Sequence, residues 1–239
     1  MKKGIAAGLI GIALMACGRD EKKEVIVSAA ASLEEGIKEI AKEYERDTGV
    51  EVSINLGGSG SLKKQVEEGA PVDVILLASK AYYDELDRKG YIEEGGDLLG
   101  NTLTVVGRRG IESLDQLEGT ISIGDPGFVP AGRYAREALI KGGVWERLEE
   151  EILLTKDVRS ALAYANMGEV DYSVVYKTDS LLGKELRVYE IPEDLYSEIV
   201  YSGGTLKDAS REGEDFYNYL LSKLEVFEKY GFKVRRNVN

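Results

Sequence analysis

Seven short runs rich in β-branched residues recur along the chain, and stretches of helical periodicity lie between them. The runs begin at Val25 (VIVSA), Val50 (VEVSI), Val72 (VDVILL), Thr102 (TLTVVG), Thr120 (TISIG), Tyr172 (YSVVY) and Leu186 (LRVYEI). Several are apolar on both sides, as strands covered on two faces are. The clearest helical pattern puts Leu33, Ile37, Ile40, Ala41 and Tyr44 on one face and Glu34, Glu35, Lys38, Glu39 and Lys42 on the other. A second helix is predicted from about Gly213 to Tyr230, with Phe216, Tyr219, Leu220, Leu224 and Phe227 on its stripe. This alternation is the rhythm of an α/β protein.

Composition then removes whole classes of chemistry. Apolar residues make up 43% and charged residues 31%, so the chain can bury a core and is not a disordered polymer. A net charge of −12 argues against nucleic acid as a partner. No histidine occurs, which excludes Ser-His-Asp and Cys-His catalysis, His-ligated zinc and imidazole switching. The single cysteine, Cys17, supports neither an intramolecular disulfide nor a thiolate metal cluster. A length of 239 residues admits one large domain or two smaller ones.

The N-terminus reads as an address. Lys2 and Lys3 precede an apolar run, Gly4 to Met15, too short to span a bilayer, so residues 1–16 read as a removable signal. Leu14-Met15-Ala16-Cys17 resembles the lipobox of bacterial lipoproteins, with Cys17 as the acylated residue; the alternative is an ordinary signal and an incidental cysteine. Residues 17–24 carry almost nothing to bury and read as a tether. The expectation is an exported protein, anchored to the membrane by lipid on Cys17, on the periplasmic or extracellular side.

Parallel sheets bind ligands where strand ends lead into helix N-termini, whose bare N–H groups favour anions. Four such junctions stand out. Ala29-Ala30-Ala31-Ser32-Leu33-Glu34-Glu35 reads as a capping box, with Ser32 at the N-cap and Glu35 answering it. Leu56-Gly57-Gly58-Ser59-Gly60-Ser61 lets consecutive N–H groups converge; it lacks both the Gly-Lys-Ser/Thr of a P-loop and the third glycine of a dinucleotide fingerprint. Gly124 to Gly132 leads into a helix starting near Arg133, and Thr155-Lys156-Asp157-Val158-Arg159 opens another. Asp157 is either the N-cap of that last helix or a carboxylate acceptor facing a ligand.

In order and spacing, Ala29-Ala30-Ala31-Ser32-Leu33, Gly57-Gly58-Ser59-Gly60, Glu68-Gly69-Ala70-Pro71-Val72-Asp73-Val74, Gly124-Asp125-Pro126, Val129-Pro130-Ala131-Gly132, Asp157-Val158-Arg159 and Val175-Tyr176 resemble the molybdate-binding proteins of ABC importers. The likeness runs from about Val25 to Phe232. It implies a bilobal periplasmic solute-binding fold of type II, two α/β domains joined by a two-strand hinge with the ligand in the cleft between them. Lobe I would comprise residues 25–102 and 203–239, and lobe II residues 103–202, with crossings near Asn101 to Val105 and Ile199 to Gly203. Carried over by motif, the oxyanion-binding residues are Ser32, Ser59, the backbone amides of Ala131 and Val158, and the Tyr176 hydroxyl. The implied ligand is molybdate or tungstate, with no resident cofactor. The implied partners are an ABC permease and its ATPase, served by a monomer that is not an enzyme. Two departures bear on pocket size: Gly58 and Gly60 stand where relatives carry more serines, and Leu76-Leu77-Ala78-Ser79 lacks a commonly present acid.

Independently of the likeness, a site built only of donors satisfies a fully deprotonated oxyanion and rejects a protonated one, whose O–H needs an acceptor. A binding protein of the same fold for sulfate, phosphate or a carboxylate is the alternative. Less favoured is an exported enzyme using carboxylates such as Asp73, Asp125 and Asp157, residues that also suit caps and turns.

Overall fold

The computed structural model describes residues 24–235. The signal at residues 1–16, Cys17 and all of the tether except Glu24 lie outside the described residues. In the first pass, β1 (Glu24–Ala30), α1 (Glu34–Thr48), β2 (Glu51–Gly57), α2 (Ser59–Glu67), β3 (Val74–Leu77), α3 (Lys80–Arg88) and β4 (Ile92–Asn101) follow one another. There follow β5 (Leu103–Gly107), β6 (Ile121–Gly124), α4 (Pro130–Lys141), α5 (Trp145–Leu148), β7 (Ile152–Thr155), α6 (Val158–Met167), β8 (Tyr172–Tyr176), α7 (Lys177–Ser180) and β9 (Arg187–Glu190). The chain closes with β10 (Ile199–Leu206), α8 (Arg211–Ser222) and β11 (Lys233–Val234).

These strands build two mixed sheets, ordered β11-β4-β10-β3-β1-β2 and β7-β6-β8-β5-β9. Each has a parallel half at one edge, β2-β1-β3 in one and β7-β6-β8 in the other, continued on its inner side by antiparallel strands. Helices α1, α2, α3 and α8 pack on the first sheet, α4 and α6 on the second. The result is the bilobal type II fold, with β4 of the first sheet ending at Asn101 and β5 of the second beginning at Leu103. On the return, β10 pairs with β4 along its length and with β3 from Ser202 to Thr205, so Ile199–Ser202 belong to the first sheet, where the sequence divided the lobes after residue 202.

The seven β-branched runs all contain strands, while β4, β7, β10 and β11 are additional. Strands β4 and β10 hide behind Gly95-Gly96 and Gly203-Gly204, dipeptides that read as turns. Here they face each other between two register shifts, and a Cβ on Gly204 would lie 2.2 Å from the Glu94 carbonyl oxygen.

The predicted apolar face of α1 is wholly buried. The predicted long C-terminal helix is instead broken: α8 stops at Ser222, and a 3-10 segment, Leu224–Tyr230, turns Leu224, Val226 and Phe227 back into the core. The Phe227 ring lies over Gly36, where a Cβ would come within 2.4 Å of it. Tyr217, not Tyr219, occupies the buried stripe, donating to the Gly203 carbonyl at 2.9 Å; Tyr219 is half-buried, edge-on to Tyr44.

Candidate functional site

The carboxyl ends of β1, β2, β6, β7 and β8 converge on one small cavity between the sheets. Ser32, Ser59, Ala131, Val158 and Tyr176 all line it, together with backbone of Ala30 to Ala31, Gly57 to Gly58 and Val129 to Pro130. All five are buried. Its free volume is about 10 Å³, far below the roughly 300–1,000 Å³ typical of organic-ligand pockets, so it has no room for an organic ligand of that kind.

Each element delivers its donor for a local reason. Chain leaving β1 forms a 3-10 turn, Ala31–Leu33, before α1 begins at Glu34. This overturns the predicted capping box: no side chain caps α1, the Ser32 hydroxyl lies 2.8 Å from the Tyr201 hydroxyl, and Glu35 turns to Arg159. Because the turn absorbs the helix start, Ser32 is released toward the cavity. Ser59 is the first residue of α2, and its Oγ accepts the Ala78 N–H at 2.9 Å, which leaves its own proton to be donated elsewhere.

Helix α4 starts at Pro130, three residues before the predicted Arg133. Proline suits the first helical position, where an N–H would be unbonded anyway. Ala131 is the second residue of α4 and Val158 the first of α6, so neither amide has an acceptor within its helix. Asp157 is the N-cap of α6, its Oδ1 accepting the Ser160 N–H at 2.7 Å, and it also stands in the wall of the cavity.

Tyr176 ends β8 and is 1% exposed, and its hydroxyl has no hydrogen-bond partner among the described residues. Burial pushes the phenol well above its ordinary range, so it stays neutral and able to donate. An orphaned hydroxyl at such depth costs stability, about 1–3 kcal/mol, unless something in the cavity accepts its proton. Two amides, a phenol and at least one serine with protons to donate thus share the lining of one cavity with the Asp157 carboxylate.

The lobes touch around this cavity through contacts that motif reading did not find. Gly60 N–H donates to the Phe128 carbonyl at 2.8 Å, the Tyr82 hydroxyl to the Gly127 carbonyl at 3.2 Å, and Arg133 Nη2 to Ser79 Oγ at 2.8 Å. A Cβ on Gly58 or Gly60 would sit 2.8 Å from the Lys156 carbonyl oxygen or 2.6 Å from that of Phe128. The two glycines that depart from the family pattern are therefore the positions where the second lobe's backbone approaches. Only the glycine signal in the loop pointed that way.

The carboxylates considered for catalysis are occupied with backbone. Asp73 receives the N–H groups of Ile26 and Ser210, both at 2.7 Å, and Asp125 receives Gly127 N–H at 2.9 Å.

The family model for bacterial extracellular solute-binding proteins matches residues 25–233. The chain belongs to that family. Among its relatives is YvgL of Bacillus subtilis, whose name gives it provisionally as an ABC transporter substrate-binding lipoprotein; it is 37% identical over 89% of this chain and 87% of its own. The molybdate-binding protein ModA of Haemophilus influenzae is 33% identical over 89% of this chain and 91% of its own. The periplasmic molybdate-binding protein of Azotobacter vinelandii superposes with a TM-score of 0.80 at 19% identity, over 89% of this chain and all of its own, a likeness of fold. None of these relatives is named as an enzyme.

Proposed function

We propose that this solute-binding protein is the molybdate receptor of an ABC importer, taking tungstate about equally and handing the ion to a permease and its ATPase without chemistry. The observation that carries the reading is the buried, unpartnered Tyr176 hydroxyl in the same cavity as Ser32 and Ser59. The proposed ligand set is Ser32, Ser59, Ala131, Val158 and Tyr176. The ModA relatives support molybdate as the ion, and the lipoprotein name of YvgL supports an exported protein held at the membrane by lipid on Cys17; that it acts as a monomer is part of the proposal.

The energetics fit a free-standing receptor. Four or five hydrogen bonds to a charged acceptor, at roughly 1.5–3 kcal/mol each, give a gross gain of about 6–15 kcal/mol. Lobe closure and lost freedom reduce that to a dissociation constant in roughly the micromolar-to-nanomolar range. Net negative charge opposes the approach of a dianion, but screening confines this to roughly 10 Å.

Calorimetric titration of the chain from Gly18 onward with molybdate, tungstate, sulfate and phosphate tests the proposal. One-to-one binding of the first two, with the others at least about a hundredfold weaker, is expected. Tighter binding of sulfate or phosphate would transfer the site to that ion. Absence of heat together with an unshifted melting temperature would overturn oxyanion binding.

A further inference from the structure

Ser32 is joined to the hinge by a chain of hydrogen bonds whose direction is fixed from one end. Thr102 N–H donates to Asn101 Oδ1 at 2.9 Å, and a backbone amide only donates, so that atom of the Asn101 amide is the oxygen. The other atom is then the NH2 group. It donates to Thr178 Oγ1 at 2.9 Å and to the Tyr201 hydroxyl at 3.3 Å. Tyr201 is 1% exposed, and burial keeps its phenol protonated. With its oxygen receiving from Asn101, its proton has one partner within reach among the described residues, Ser32 Oγ at 2.8 Å. Ser32 therefore accepts from Tyr201, and its own proton is left for the cavity. Reversal would strand the Tyr201 proton in the core.

We propose that Asn101, acting through Tyr201, fixes Ser32 as a donor and so makes the pocket discriminate against oxyanions that carry a proton. Asn101 and Tyr201 are positioning residues in this account, since neither lines the cavity. They lie on the strands where the chain leaves and re-enters the first sheet, and Thr178 belongs to α7, which packs on β5 and β8 of the second. The relay thus spans the hinge. The inference rests on the oxyanion reading of the cavity and adds to it the source of one selectivity.

Asn101→Asp tests it, because a carboxylate of the same shape still accepts Thr102 N–H but offers Tyr201 an acceptor in place of a donor. Tyr201 then donates to position 101, Ser32 donates to Tyr201, and Ser32 Oγ becomes an acceptor for a ligand proton. Titrations with sulfate, hydrogen phosphate and molybdate at about pH 8 compare ions of equal charge, so the added negative charge cancels in their ratios. The sulfate-to-hydrogen-phosphate affinity ratio is expected to fall at least tenfold in Asn101→Asp while the sulfate-to-molybdate ratio holds. In a Tyr201→Phe background the same substitution should leave the first ratio unchanged, because the relay is cut.

A ratio unmoved by Asn101→Asp, or moved equally in the Tyr201→Phe background, overturns the relay. So does wild-type protein that binds hydrogen phosphate within about tenfold of sulfate, a measurement that needs no variant to fold. Wild-type protein that binds none of the three ions overturns the oxyanion reading and the relay with it; wild type that binds them while the ratios stay fixed overturns the relay alone.

Discussion

Arg159 of α6 reaches across the cleft and grips Glu35 of α1, both terminal nitrogens donating to the two carboxylate oxygens, with Nη1 to Oε1 at 3.0 Å. Burial alone would push the Glu35 carboxyl up, but the hydrogen bond and charge of Arg159 outweigh it and hold the group below its ordinary range. The other edge of the guanidinium is turned inward, Nε standing 2.5 Å from Oδ1 of the fully buried Asp179. One arginine thus neutralises a carboxylate in its own lobe and clasps one in the other.

Glu35→Gln is the clean test of that clasp, since removing Arg159 would strand Asp179. Solvent still reaches the pair, so its worth is set at no more than about 1 kcal/mol. Oxyanion affinity should fall by up to about fivefold. Added sodium chloride should weaken the wild type more than the variant. Equal salt dependence of the two would show that the pair contributes nothing to closure.

Asp179 makes stability fall with rising pH. Burial pushes its carboxyl up to about 7, with Arg159 opposing. A carboxyl raised in the folded state stabilises the protein fully below its unfolded value near 4, and that contribution is lost as pH rises through about 7. The melting temperature of ligand-free protein should therefore decline from about pH 5 to about pH 8, and Asp179→Asn should flatten the decline. A variant that keeps the full slope would assign it to other groups.

Tyr176→Phe separates binding from folding. The hydroxyl has no partner among the described residues, so its loss should leave the ligand-free melting temperature unchanged or slightly raised. Molybdate affinity should weaken by roughly 1.5–3 kcal/mol. A large drop in the melt with normal affinity would make the tyrosine structural.

Ser59→Ala behaves differently, because Ala78 N–H loses its acceptor as the ligand loses a donor. Both readouts should fall, stability by about 1–3 kcal/mol and affinity by roughly 1.5–3 kcal/mol. Ser32→Ala should weaken affinity by a similar amount. Unchanged binding in both variants would remove the serines from the site.

Gly60→Ala should move stability and affinity in opposite directions. Gly60 lies in the first turn of α2, where alanine is the better helix former by up to about 1 kcal/mol. Its Cβ would nonetheless sit 2.6 Å from the Phe128 carbonyl oxygen. The ligand-free melt should hold or rise, while affinity drops by about 1–3 kcal/mol and ligand-induced compaction in solution scattering shrinks. Full affinity would mean that the 125–129 loop yields without cost.

The sequence by itself determined the α/β class, the seven runs that contain strands, the buried face of α1 and the junctions that meet at the cavity. Periodicity, β-branching and short polar turn residues act within a few positions of one another, and such signals survive in a string of letters. The family likeness extended that reading to Tyr176, a residue with no local signal of its own. Only the tertiary structure decided the rest. Strands β4 and β10 exist because their glycines face each other across 100 or so residues, and α8 ends early because Phe227 has to reach Gly36. Ser32 looked like a cap and became a cavity hydroxyl because Tyr201, 169 residues away, supplies its partner. Gly58 and Gly60 looked like departures from a pattern and mark where the second lobe's backbone arrives. Each outcome depends on atoms brought together by chain crossing rather than by spacing, and the direction of a hydrogen bond is fixed only when every neighbour competing for the same proton is in place.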